Sequence, residues 1–308
     1  MAIVHRTIEV EVGPVTEAMR LDAYVVQARD GLSRSLFSKA DTRLTLNGKE
    51  VKKSRLVKEG DRIVVTYTEA HYEGIVAQPI DLSVLYEDND LLIIDKEQGV
   101  VVHPGAGNRD QTLVNGLLER YGTDFAAMGE EGRPGIVHRL DKDTSGVMVI
   151  ALNAKSQRAL SAQFKARTTE KVYVAVVRGR VKERRGTIES NIMRDPVRRT
   201  QYTTCGSGEG RTARTDYTVV ARSLQWTLLR IVLHTGRTHQ IRVHLKSIGH
   251  PIVGDPIYGS GAPPSLLLHA LALGIDHPTT GVRIRAVAPL PRRIKEWVYG
   301  ASAPRGLR

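Results

Sequence analysis

From residue 83 onward the chain keeps returning to short apolar blocks of strand length, and these outnumber its segments of helical period. LLIID, VMVIALN, KVYVAVVRG, RTARTDYTVVAR, WTLLRIVL and VRIRAVAPL punctuate the region, bounded by turn residues. Helical spacing shows at QTLVNGLLERYG, KSQRALSAQFKA and THQIRVHLKSIG, whereas TDFAAMGEEGRPG reads as an exposed, turn-rich stretch. Strands that recur without a helix between each pair argue against a doubly wound parallel sheet. They predict an α+β domain with a mixed, largely antiparallel sheet flanked by helices.

The first 82 residues follow other rules. Residues 1–18 alternate, as in IVHRTIEVEV, and read as an edge strand or partly ordered arm. Residues 19–66 read as a small separate domain: MRLDAYVVQAR and LSRSLFSKA have helical spacing, with Ser33 a cap for the second. LTLNG and DRIVVTY follow as short strands, with Asn47-Gly48 a turn. This small unit holds eleven Lys or Arg against six Asp or Glu. Residues 67–82 read as a linker, 83–298 as the large domain and 299–308 as a flexible tail.

The whole chain of 308 residues carries a formal charge of +12, which favours a polyanionic partner. With three Phe, two Trp and ten Tyr it is poorly equipped for an extended base-stacking platform. Cys205 is the single cysteine, which excludes an intrachain disulfide and a multi-cysteine metal site. The start lacks a secretory pattern and no long apolar run occurs, so the expectation is a protein of the reducing cytoplasm with no membrane partner.

Two clusters can carry chemistry. HRLDKDTSG, residues 138–146, crowds charges and hydroxyls directly ahead of the apolar VMVIALN. Fixed beside a core, a carboxylate there has more chemical leverage than on a free surface. Asp141 and Asp143 lie two apart, and Asp255 in VGDPIYG is a further candidate partner. An acid and base pair of the glycosidase kind therefore stays open. The second cluster is HTGRTHQIRVHLKSIGH, residues 234–250. Its histidines are five apart, which turns them away from one another on a helix, so no metal site is expected. Arg237, Arg242 and Lys246 occur with no acidic residue between them, as in a group that faces phosphates or balances a buried carboxylate. HPGAGN and GSGEG match neither a Walker loop nor the dinucleotide fingerprint, so no nucleotide cofactor is expected.

Residues 19–66 resemble the alpha-L RNA-binding domain, and the resemblance implies an RNA-facing edge at Arg34, Ser35, Lys39, Lys49, Lys52 and Lys53. HRLDKDTSG, KVYVAV and HTGRTHQIRVHL, in that order, resemble the RluA-type pseudouridine synthases over about residues 83–295. YEDNDLLIIDK and HPGAGN favour the RluD-type branch, which acts on large-subunit ribosomal RNA. The resemblance implies that Asp141 is the catalytic aspartate, Tyr173 the ring beside the uracil and a proton acceptor, and Arg237 the arginine paired with the aspartate. It implies that Arg139 enters the space left by a flipped base, with Arg242 and Lys246 facing RNA. His138, Asp143, Thr144 and His239 would support the site. The implied protein isomerises uridine to pseudouridine without a cofactor or metal. It acts as a monomer on large-subunit rRNA, free or in precursor subunits. A binding-only or ribosome-assembly protein and a nucleic-acid glycosidase are the competing readings. One departure stands out: Glu97-Gln98 occupies a place where the family often has lysine then proline, which would remove a charge and a rigid turn.

Overall fold

The structure, a computed structural model, describes residues 2–14, 17–29, 36–38, 41–71, 75–105, 107–128, 133–198, 200–206, 208–261 and 264–300. It forms two compact units, residues 1–75 and 76–308.

In the first unit, β1 (Ala2–Glu11), β2 (Met19–Arg20) and α1 (Leu21–Ala28) precede β3 (Arg43–Leu46), β4 (Lys49–Glu50), β5 (Leu56–Val57) and β6 (Arg62–His71). The sheet order is β1-β6-β3-β4, with β2 and β5 paired separately. Of the two readings of residues 1–18, the edge strand is the one found, and β6 runs as far as His71 into the stretch read as a linker. β1 pairs with β6 from Ala2 opposite His71 to Glu11 opposite Arg62, so the alternation in IVHRTIEVEV belongs to an integral strand. That pairing sets Val10 beside Ile63, and both join Leu21, Val25, Phe37, Leu44 and Val65 in the core. Asn47 and Gly48 take positive φ, 53° and 79°, and reverse the chain between β3 and β4 as their sequence predicts. Lys49 and Lys52 are exposed and Lys53 is half-buried. Arg34, Ser35 and Lys39, with the cap at Ser33, lie outside the described residues.

The second unit begins with β7 (Ser83–Glu87), β8 (Leu91–Lys96), α2 (Leu113–Ala127), β9 (Ser145–Ala151), α3 (Ala154–Ala166) and β10 (Glu170–Arg178). β11 (Arg185–Arg194), β12 (Tyr202–Cys205), β13 (Arg211–Arg222), β14 (Trp226–Leu233) and α4 (Gln240–Ser247) come next. β15 (Leu268–Asp276), β16 (Arg283–Val287) and α5 (Arg292–Tyr299) complete it. One sheet runs β12-β11-β13-β14-β10-β15-β9-β8-β7, and β16 adds to β15. Among the described residues its pairings are antiparallel except β15 with β9. β9 is buried at every position, which explains why its sequence is an apolar run without alternation. No helix among the described residues is long and apolar enough to cross a membrane.

The stretch expected to be turn-rich is corrected in part. α2 kinks at Gly122 (φ 73°) and then continues to Ala127, because Phe125 finds a buried place in the core. The glycine signals a bend, and burial of the next aromatic restarts the helix.

The parallel seam brings distant segments of the chain together. Ser145 and Gly146 of β9 lie beside His269 and Ala270 of β15, while Tyr173 of β10 pairs with Ala270 from the other side. Gly146 has φ 120°, and any Cβ there would collide with the Ala270 backbone. The loop before β9 and the centre of β10 therefore meet over the same short piece of β15.

Candidate active site

The loop 138–144 is held through its backbone. Lys96, only 2% exposed, donates from Nζ to the carbonyls of Glu97 (2.8 Å), Val100 (2.8 Å) and Lys142 (3.2 Å). Burial lowers its pKa to about 8, against the pull of Asp141 and Asp143. The Gly99 amide donates to the Lys142 carbonyl at 2.8 Å, and Gln98 Nε2 donates to the carbonyls of Asp143 (2.8 Å) and Leu266 (3.1 Å). Ser265 Oγ donates back to Gln98 Oε1 at 2.9 Å. Lys96 therefore places a buried cation beside Glu97-Gln98, and Gln98 clamps the loop. Thr144 is buried and its amide donates to the Asp141 carbonyl at 3.1 Å, closing the loop.

α4 supplies the partner of Asp141. The helix begins at Gln240, so His239 at its cap, Arg242 and Lys246 share one face, and Gln240 and His244 another. On the first face Arg242 donates from Nε and Nη2 to the two oxygens of Asp255, both at 2.8 Å, and from Nη1 to Asp141 Oδ2 at 3.2 Å. Arg242 is 3% exposed and Asp255 0%. Burial opposes the charge on Arg242, but the two carboxylates outweigh it and leave its pKa above the ordinary value. Burial likewise pushes Asp255 up, while Arg242 and the amides of Tyr258 and Ile257 hold it below the usual carboxylate range.

Two expectations are thereby corrected. Arg237 is not the partner of Asp141: it sits in the turn before α4, off the Arg242 face, and its Nε donates to the Thr212 carbonyl at 3.1 Å. Arg242 is not an RNA-facing cation, because it is enclosed between two carboxylates. Lys246 is exposed, with Nζ 5.5 Å from the centre of the Tyr258 ring.

The second face of α4 explains the rest of the motif. Gln240 accepts from Thr235 Oγ1 (2.8 Å) and the Arg237 amide (3.0 Å), and donates to the Arg214 carbonyl and Thr215 Oγ1, each 3.0 Å away. His244 bonds Thr215 Oγ1 (2.9 Å) and Ser190 Oγ (3.0 Å). These bonds lock the start of the helix onto the sheet.

His239 completes the wall beside Asp141. The Tyr202 amide donates to Tyr258 Oη at 2.8 Å, and His239 Nδ1 lies 2.8 Å from the same oxygen. An amide can only donate, so the buried hydroxyl keeps its hydrogen satisfied by donating it to Nδ1. That assignment leaves Nε2 as the N–H of His239, 3.9 Å from Asp141 Oδ2 and beyond hydrogen-bond distance. Burial lowers the His239 pKa despite the attraction of Asp141, so the ring stands as a neutral donor.

A pocket of about 430 Å³ opens over these groups, lined among others by Arg139, Asp141, Tyr173, His239 and Arg242. Asp141 is the one acidic residue of its lining, against six Lys or Arg. Tyr173 is 9% exposed, and its hydroxyl has no hydrogen-bond partner among the described residues. Burial, reinforced by the Asp141 charge, drives its pKa far up and keeps it a neutral phenol. Arg139 is exposed at the rim. Among the described residues no cluster of His, Cys, Asp and Glu is arranged to hold a metal. The sequence reading missed Lys96, Gln98 and Tyr258. The polar KEQG inside an apolar strand exit was the one signal for the first two.

His138 packs flat on Phe164, ring centres 4.5 Å apart, and its Nε2 accepts the Val149 amide at 3.0 Å. Its burial, helped by Lys171, lowers the pKa to about 3. His244 and His269 are also buried and fall to about 4, His269 with some help from Arg293. These folded values lie below the unfolded value near 6.5, so the unfolded chain binds more protons as pH falls. Stability is therefore full above about pH 6.5 and lost progressively between there and about 3, with a slope of about 4 kcal/mol per pH unit near pH 5. Urea unfolding free energies across that range check this, and a flat profile contradicts it.

Known proteins resemble the chain in sequence and in fold. The sequence profile of the RNA pseudouridylate synthase family matches residues 90–247. An RNA pseudouridine synthase of Aquifex aeolicus is 43% identical, over 86% of this chain and 88% of that protein. The ribosomal large subunit pseudouridine synthase D of Pseudomonas aeruginosa is 39% identical, over 88% of each. In three dimensions the chain is similar to human RNA pseudouridylate synthase domain containing 1, with a TM-score of 0.57, 29% identity, and coverage of 68% of this chain and 83% of that one. The matched profile, the relatives and the shared fold place the chain in the RNA pseudouridylate synthase family, whose members are RNA-modifying isomerases.

Proposed function

We propose that the protein converts uridines of large-subunit ribosomal RNA to pseudouridine, with Asp141 as the catalytic carboxylate. The observation that carries this reading is the Asp141 carboxylate held by Arg242 in a cationic pocket beside the neutral Tyr173 hydroxyl. The target uridine leaves the helix and enters the pocket, with the exposed Arg139 filling the gap in the stack. The C1′–N1 bond breaks, assisted by Asp141 through attack on C1′ or through removal of a sugar proton that gives an unsaturated sugar. The freed uracil turns, C5 bonds to C1′, and the C5 proton is lost while N1 gains one. The composition of the RNA is unchanged, while the C5 hydrogen passes to water and N1 takes up another. Arg242, fixed by Asp255, donates to Asp141 Oδ2, and the His239 ring stands 3.9 Å from the same oxygen.

The basic first unit, with exposed Lys49 and Lys52, supports an RNA-binding role as an alpha-L-like domain. The P. aeruginosa relative is named for the ribosomal large subunit, which supports that substrate here. A monomer working in the cytoplasm suits the reading. Tritium release from unmodified large-subunit rRNA, small-subunit rRNA and tRNA, each labelled at uridine C5, tests the substrate. Release from the first alone is expected, and equal release from all three overturns the substrate assignment.

Tyr173 supplies a separable prediction. The Tyr173 side chain is buried, yet its hydroxyl opens on the pocket with no partner among the described residues, which fits a group that meets substrate. Tyr173→Phe should leave the unfolding free energy unchanged or slightly raised, while turnover falls about 10²–10⁴-fold. Near-normal turnover would leave the ring with a stacking role only.

A further inference from the structure

We infer that a second cavity beside the catalytic pocket is a subsite for a nucleotide adjacent to the flipped uridine, and that Arg237 holds the phosphodiester joining the two. The inference rests on the RNA substrate proposed above. The second cavity, of about 510 Å³, is lined by Ile192, Met193, Tyr202 and Arg211 among others, and Gly236, Arg237 and Thr238 line both spaces. The two spaces therefore adjoin along those three residues.

Arg237 is built for an anion at that crossing. Its amide donates to Gln240 Oε1 at 3.0 Å and its Nε to the Thr212 carbonyl at 3.1 Å, which fixes the stem of the side chain. Its two terminal nitrogens meet no acceptor among the described residues. Burial lowers its pKa, and the charges of Arg167 and Arg211 lower it further. Arg167 is set in place as the left-handed cap of α3 (φ 63°), and Arg211 opens β13 next to Thr212. Arg237 is thus repelled by two further guanidinium groups, and no Asp or Glu lines the second cavity. Mutual repulsion of this kind is relieved by a polyanion. The planar fork of arginine suits a phosphate.

The second cavity also offers a base something to lie on. Tyr202 is half-buried and held by an edge contact with His239, ring centres 5.7 Å apart, beside Ile192 and Met193. A base in the first pocket, an anion at Arg237 and a base at Tyr202 match the order of one dinucleotide. Flanking-nucleotide contacts of this kind set sequence context in enzymes that flip bases.

The test uses the full chain and a short RNA stem-loop carrying a mapped target uridine. For Arg237→Gln we expect KM to rise about tenfold and kcat to stay within about threefold. The slope of log affinity against log salt should shrink by about 0.7–0.9, the loss of one phosphate contact. A neutral methylphosphonate at the linkage beside the target should weaken wild type by a similar factor and leave Arg237→Gln no weaker than before. Arg211→Gln, at an exposed position, gives the same pattern at smaller size and serves if the first variant does not fold. A collapse of kcat with unchanged KM, or an unchanged salt slope in both variants, overturns the inference. Wild type that binds the RNA yet releases no tritium overturns the proposed function instead, and the inference falls with it.

Discussion

Asp141→Asn is expected to lower tritium release by about 10⁴-fold or more while RNA affinity stays within about tenfold of wild type. The asparagine keeps the shape of the side chain and can still accept from Arg242, but it has neither the charge to attack carbon nor the basicity to take a proton. RNA affinity should survive because phosphate contacts are expected from cations outside the pocket, such as the exposed Lys49 and Lys52. Release kinetics and filter binding on one RNA separate the two effects. Comparable turnover in mutant and wild type would remove Asp141 from the chemistry.

Arg242→Met has the second large effect, and it strikes stability as well as activity. Asp255 is fully buried, and Arg242 supplies two of its four hydrogen bonds. Without that cation the carboxylate is a buried charge lacking its counter-ion, which costs about 3–5 kcal/mol. The new state has an escape: Asp255 can take up a proton, so the deficit relative to wild type should shrink as pH falls. Arg242→Met with Asp255→Asn should recover part of the stability and none of the turnover, since Asp141 still lacks its donor. Denaturant unfolding of the three proteins checks this. A loss below about 1 kcal/mol in the single variant would mean that water reaches Asp255.

How much of this could be read from the sequence depended on whether the signal was local. β9 and β10 announced themselves because a strand covered on both faces must be apolar throughout. The Asn47-Gly48 turn was legible because few residues tolerate positive φ. β1 was harder: its alternation was visible, but its partner β6 lies over fifty residues away, and nothing local distinguishes a paired strand from a loose arm. The choice between Arg237 and Arg242 turned on where α4 begins. A shift of the helix start past Thr238 puts Arg242 on the Asp141 face and leaves Arg237 in a turn. Asp255 was visible as a carboxylate, yet its bond to Arg242, rather than a pairing with Asp141 across a glycosidic bond, depends on the route of the chain after α4. Tyr258 and Lys96 act through backbone atoms and through other side chains, for which a sequence has no symbol.

The most direct test of the account measures C5-tritium release by wild type on unmodified large-subunit rRNA and, in the same reaction, the nucleosides recovered after digestion. The account predicts one pseudouridine in the chain for each tritium released, with no free uracil. Free uracil without pseudouridine would make the Asp141 site a hydrolase, and no release from folded, RNA-bound protein, on free rRNA and on immature subunits alike, would contradict the assigned reaction.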